Sequence, residues 1–207
     1  MPEKAAFLSF LVASLLLNLA PGPDMMYVLG RSMGQGRRAG IISSLGIFVG
    51  CLFHLVAAAL GLAALLRSSP LLFHLVRLAG AGYLIYLGIN LILHAKNALV
   101  GVQVQQDSLR RIFLQGVITN ILNPKVAIFF VAFLPQFVDG HGSILLQILL
   151  LGMIFDVGGT LVNFAVAIAA GGLGDRLSRN IRIIKWQRRL TGTLFIGLGV
   201  RVALARR

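Results

Sequence analysis

The chain has 207 residues, of which 57% are hydrophobic and only 12% charged, and its mean hydropathy is +0.89. A soluble domain is usually about one-quarter charged, so this balance excludes an ordinary water-soluble fold. Nineteen Lys and Arg against six Asp and Glu leave a net charge of +13; no basic run carries the interleaved aromatics of a nucleic-acid surface, so the charge points to anionic lipid at a membrane face.

At the N-terminus, Lys4 precedes an apolar stretch from Ala5 to Leu17, a pattern similar to a signal peptide. The stretch ends in Asn18-Leu19-Ala20-Pro21, where the small residues a signal peptidase needs are misplaced, so a retained first helix is expected. Crossing the hydrocarbon layer of ~30 Å takes roughly 20 apolar helical residues. Six runs qualify in chain order: Ala5–Leu29, Ala39–Leu66, Leu71–Leu93, Ile112–Val138, Ile144–Ala170 and Leu190–Leu204. The sixth is short and can begin earlier, near Trp186. Strands are not expected, because no period-2 alternation appears and open strand edges cannot be satisfied in lipid. The expectation is an all-α integral membrane protein of six transmembrane helices, a single domain over residues 1–207.

The connections separate by charge. Arg31, Arg37 and Arg38 follow the first run, Lys96, Arg110 and Arg111 precede the fourth, and Arg176, Arg179, Arg182, Lys185, Arg188 and Arg189 precede the sixth. On the other side stand Lys4, Arg67, Arg201, Arg206 and Arg207. The positive-inside rule then places loops 31–38, 94–111 and 171–189 in the cytoplasm and both termini outside, with the basic tail as the dissenting feature. Gly46 and Gly50 in the second run, and Gly158 and Gly159 in the fifth, read as residues that let helices approach closely.

Two interruptions carry the strongest signal. Pro21-Gly22-Pro23-Asp24 lies within the first apolar run, and two prolines around a glycine break a helix rather than bend it. Thr119-Asn120-Ile121-Leu122-Asn123-Pro124-Lys125 interrupts the fourth run at the corresponding place in the second group of three helices. Three helices is an odd number, so a duplicated half inserts upside down. The reading is a 3+3 inverted repeat with halves 1–94 and 111–207, a cytoplasmic loop 95–110 and broken first and fourth helices.

Broken helices at membrane depth are tolerated where they line protein or a watery cavity. Each proline begins a half-helix whose first N–H groups are free and whose dipole end is positive, a place for a substrate carboxylate. Asp24 and Lys125 follow their prolines directly, and opposite charges at related positions can pair between the halves. An intramembrane charge costs at least ~2.5–3.5 kcal/mol, so each needs a partner or a task. Asp156 is a third such charge, and Asn163, seven residues on, shares its helix face. The candidate translocation residues are therefore Pro21, Gly22, Pro23, Asp24, Asn120, Asn123, Pro124, Lys125, Asp156 and Asn163. Asp24 and Asp156 are the proton-coupling candidates. Asn18 and Asn90 are read as amides that bond neighbouring helices, and His54 as a packed, hydrogen-bonded residue.

Cys51 is the only cysteine, so no thiol pair forms within the chain. The sequence offers no His, Cys and carboxylate cluster at metal spacing, no nucleophile–base constellation and no phosphate loop. Neither an enzyme nor a cofactor is expected, and transport would be ion-driven or passive.

The stretch Leu19-Ala20-Pro21-Gly22-Pro23-Asp24, running into Gly34-Gln35-Gly36-Arg37-Arg38-Ala39-Gly40, resembles the N-terminal signature of the LysE/RhtB family of amino-acid exporters. Asn123-Pro124-Lys125 followed by Phe133-Leu134-Pro135-Gln136-Phe137 is similar to that family's second signature. Chain length and hydrophobic profile agree throughout. The resemblance implies a translocator of the bacterial cytoplasmic (inner) membrane that exports amino acids or their derivatives by proton antiport. It implies an amino-acid-like substrate, protons and membrane lipid as partners, allows a homo-oligomer, and leaves the substrate open. An exporter of a cation or other small solute on the same architecture, or a passive channel, are the alternatives.

Overall fold

A computed structural model of the protein describes residues 4–68, 70–93, 106–138, 142–177 and 181–204. Most of the loop 94–111, His141 and the basic tail at 206–207 lie outside the described residues. The described chain is helical throughout: α1 (Lys4–Leu19), α2 (Pro23–Gln35), α3 (Arg37–Ser68), α4 (Pro70–Leu93), α5 (Leu109–Ile121), α6 (Pro124–Ile128), α7 (Ile144–Leu177) and α8 (Ile181–Leu204). A π-helical turn over Phe129–Phe133 and a 3-10 turn over Leu134–Phe137 continue α6.

Local chemistry sets the boundaries. Gly22 is extended at the N-cap of α2 and Pro23 opens the helix, where its missing N–H costs nothing. Pro124 opens α6 in the same way, with Asn123 as its N-cap. The resulting breaks bend α1 against α2 by 47° and α5 against the Pro124–Phe137 segment by 45°. The segment 31–38 is not the solvated loop expected. Gly36, at φ 85°, turns the chain in a single residue, so α2 runs to Gln35 and α3 begins at Arg37. Arg31 consequently lies inside α2 and is buried. α8 begins at Ile181, ahead of both Leu190 and Trp186.

Two stretches, Arg37–Gly61 in α3 and Ile144–Gly171 in α7, are long and apolar enough to cross a membrane alone. Counting each bent pair as one span raises the number among the described residues to four. α4 and α8 have 24 residues each; within α4 the qualifying apolar stretch, Leu78–Leu93, is shorter than a span.

The packing is inside-out relative to a soluble protein. Leu8, Phe53, Leu60 and Leu146 point outward, more than half exposed, while Asp24, Asn120, Lys125, Asp156 and Asn163 are buried. That distribution suits a protein whose solvent is lipid. α3 packs along α5 and α7, and α4 packs along α8. Close approach explains the glycines. A Cβ on Gly50 would lie 2.6 Å from the Val117 carbonyl of α5, and one on Gly46 would strike the Phe113 carbonyl. Gly88 and Gly192 meet reciprocally between α4 and α8, each Cβ position 2.5 Å from the other's carbonyl oxygen. One end of the interior is filled by Phe10, Phe129, Phe130, Phe133, Phe137 and Phe155, with the Phe129 and Phe155 rings stacked at 3.7 Å.

Candidate functional site

The two breaks lie side by side and are joined by direct bonds. Asn120 Nδ2, on the last turn of α5, donates to Asp24 Oδ2 on the first turn of α2 at 2.9 Å. Lys125 Nζ, on α6, donates to the carbonyls of Leu17 at 3.2 Å and Ala20 at 3.0 Å. Those carbonyls end α1: Leu17 also accepts from the Ala20 N–H at 3.2 Å, while the Pro21–Pro23 break takes away the backbone donors that a continuing helix would bring to Ala20. Lys125, beside the second break, therefore caps the helix that ends at the first. Its stem passes so close to Gly22 that a Cβ there would sit 3.2 Å from the ammonium.

This differs from the expected charge pairing. Among the described residues Asp24 and Lys125 form no ion pair within 4.0 Å: the carboxylate is held by an amide and the ammonium by carbonyls. The half-helix termini also differ from each other. Asn123 Oδ1 accepts from the Lys125 backbone N–H at 3.0 Å, so the start of α6 is already capped. The start of α2 has no side-chain cap.

Around the breaks lies a pocket of about 410 Å³, counted to its open mouth. It is lined by Asp24, Asn120, Lys125, Asp156, Thr160 and Asn163 among its polar groups, and by Met25, Ile47, Cys51, Val126 and Phe155 among its apolar ones. Of the sequence-derived candidates, Asp24, Asn120, Lys125, Asp156 and Asn163 thus converge on one space. Pro21, Gly22, Pro23, Asn123 and Pro124 form the breaks that bend the chain around it. Asp156 and Asn163 share a wall of α7, as their seven-residue spacing requires.

The polar wall is not internally satisfied. Asp24 Oδ1, Asn120 Oδ1, Asn123 Nδ2, Asp156 Oδ2 and Thr160 Oγ1 are buried without a hydrogen-bond partner among the described residues. Buried polar groups nearly always find partners; here four of the five belong to pocket-lining residues, Asp24, Asn120, Asp156 and Thr160, and have hydrogen-bonding capacity left. Two neighbouring polar side chains are, by contrast, hydrogen-bonded to backbone. Asn18 Nδ2 donates to the Phe155 carbonyl at 2.9 Å, seated where Gly159 has no side chain. His54 Nε2 donates to the Asn120 carbonyl at 3.0 Å and its ring stacks on Phe130, as expected of a packed histidine.

Cys51 and Thr160 line the pocket although neither was a candidate from the sequence. Thr160 is one turn from Asp156 on α7, whereas α3, which bears Cys51, carries no candidate charge, and its pocket face is not identifiable without knowing the neighbours. No group of three His, Cys, Asp or Glu is arranged to hold a metal ion among the described residues.

A family profile described as LysE type translocator matches residues 15–206. Among curated proteins, the chain is 30% identical to an uncharacterized membrane protein of Pseudomonas aeruginosa over 205 residues, covering 96% of this chain and 95% of that one. It is 28% identical to an uncharacterized membrane protein of Bacillus subtilis, covering 97% and 99%. A leucine efflux protein of Salmonella typhimurium is 35% identical over 133 residues, 63% of this chain and 62% of that one. No solved structure matches.

Proposed function

The chain belongs to the LysE type translocator family, and from that premise we propose that it exports an aliphatic amino acid, leucine or a close analogue, by proton antiport. The observation that carries this reading is the set of unpartnered oxygens of Asp24, Asn120, Asp156 and Thr160 facing one pocket beside Lys125. An amino-acid zwitterion offers both complements. Its ammonium donates to carboxylate and amide oxygens, and its carboxylate accepts from the uncapped start of α2 and from Lys125. Met25, Ile47, Val126 and Phe155 supply an apolar wall for an aliphatic side chain. The kinship with a leucine efflux protein supports the same choice.

In this reading the chain is one domain of six spans in two inverted halves. It sits in the bacterial inner membrane with its basic loops in the cytoplasm, and Pro21, Gly22, Pro23, Asn123 and Pro124 serve to open the site. Of the two acidic candidates, Asp24 is tied to Asn120, whereas Asp156 bonds the Cys51 thiol beside the pocket and has one oxygen without a partner among the described residues. Asp156 is accordingly assigned the proton and Asp24 the substrate.

Counterflow in proteoliposomes across the amino acids tests the proposal. Vesicles preloaded with leucine should transiently accumulate labelled leucine, and an imposed pH gradient should accelerate net movement. Asp156→Asn should keep exchange and lose the acceleration. Absence of counterflow with every amino acid, in protein shown to be folded, would refute the reading; a full response of Asp156→Asn to the gradient would remove Asp156 from the proton path.

A further inference from the structure

A second polar cluster lies about two helical turns from the pocket, toward the basic loops. Along α2 the order is Asp24 in the pocket, then Val28, then Arg31, positions i, i+4 and i+7 on one face. Val28 packs with Ile47 of α3 and Ala167 of α7, all nearly inaccessible at 0, 4 and 0% exposure. Tyr27, Ile41 and Val166, partly buried, pack against this trio, which makes a small apolar cluster of two side chains from each helix. Beyond it, Arg31 forms an ion pair with Asp107, which precedes α5, and donates to Gln115 of α5. Gln35 accepts from Arg31 at 2.6 Å and donates to the Asp107 carbonyl at 2.9 Å. Tyr27 stacks against the guanidinium at 5.6 Å and donates to the Ile112 carbonyl at 2.8 Å. Arg111 holds the other Asp107 oxygen at 3.0 Å.

The opposite end of the pocket is built differently. There Phe10, Phe129, Phe130, Phe133 and Phe155 close the interior with interlocked rings, and the His54 ring stacks on Phe130 at their margin. Separating those rings exposes apolar surface along several helices at once. On the loop side, by contrast, a small apolar cluster lies beneath polar links: the ion pair and the hydrogen bonds of Tyr27, Arg31 and Gln35 join α2 to Asp107 and α5. Arg31 and Asp107 are each about one-tenth exposed, at the edge of water, so their charges can be rehydrated when they part. α2 and α5 also belong to the two separately broken spans, whose relative tilt alone would open this end.

We infer that Arg31 and Asp107 are the gating residues of the loop-side mouth: their ion pair closes the path between the pocket and the basic loops, and breaks when the pocket opens to that side. The inference rests on reading the pocket as the transport site, but its test needs no transport. Cys51 lines the pocket and is the chain's one cysteine, so its rate of modification measures pocket access directly.

The experiment is labelling of Cys51 by a charged methanethiosulfonate reagent in the full chain reconstituted in nanodiscs. Wild type should label slowly, and Asp107→Asn and Arg31→Gln at least about tenfold faster. The charge swap Arg31→Asp with Asp107→Arg should return the rate toward wild type. Equal rates in wild type and both single variants would overturn the gate. So would a swap as fast as the single variants, since that is loosened packing rather than a broken pair. If a single variant does not fold, wild type carries the test alone with neutral N-ethylmaleimide. Screening falls from a length of about 30 Å at 0.01 M salt to about 3 Å at 1 M, so modification should quicken several-fold at the higher salt; an unchanged rate overturns the proposal.

Discussion

At the scale of single residues, the site is a matter of which buried group answers which. Lys125 spends two of its three donors on the α1 carbonyls and Asp24 one of its oxygens on Asn120, leaving each with capacity directed at the pocket. Removing the ammonium would leave Leu17 its Ala20 N–H but take this partner from the Ala20 carbonyl, at a cost of about 1–3 kcal/mol, so Lys125 is a structural residue. Asp107 offers a cleaner test because it lies outside the helices. Hydrogen bonds from Arg31, aided by the Arg111 charge, hold its carboxyl below the usual aspartate range. A depressed carboxyl stabilises the fold fully above its unfolded value of roughly 3.9, and that stabilisation is lost only as pH falls through the lower folded value. The thermal midpoint of wild type in detergent should therefore exceed that of Asp107→Asn from pH 7 down to about pH 4, with the gap closing only in stronger acid. A gap already closing between pH 7 and 5 would contradict the assignment.

Elements were legible in the sequence where the chemistry is local. Pro21-Gly22-Pro23 and Asn123-Pro124 break helices wherever they occur, and both breaks were expected from the residues alone. Asp156 and Asn163 were placed on one face by spacing. Contacts between elements were not legible: Lys125 was expected to meet Asp24 and instead caps α1, because a carbonyl partner more than 100 residues away has no side-chain signature. Arg31 read as a loop cation because nothing marks a helix that ends in a one-residue turn at Gly36. The packing glycines allow a direct check on helix contacts. Gly46→Val should severely reduce folded yield, since its side chain would drive α3 off the α5 backbone. Gly61→Ala, with nothing within 4 Å of the new carbon, should be neutral or slightly stabilising. Equal yields of the two variants, measured by size-exclusion chromatography in detergent, would show that α3 and α5 are not in contact there.

For the whole molecule, the unequal ends of the pocket bear on direction. A thin polar seal faces the basic loops and a thick aromatic one faces away from them. An exporter needs its cargo to enter from the cytoplasm, so a loop-side mouth that opens at little cost fits loops on the cytoplasmic face. The central claim beneath this is that cargo occupies the pocket between the two breaks, and Cys51 again permits a direct measurement. Modification of Cys51 by N-ethylmaleimide should be timed by mass spectrometry with and without saturating L-leucine, in wild type and in Asp24→Asn. Leucine should slow modification of wild type several-fold and leave the rate of Asp24→Asn unchanged. If counterflow demonstrates leucine transport while leucine leaves the wild-type rate untouched, the substrate passes elsewhere and the account of this pocket is wrong.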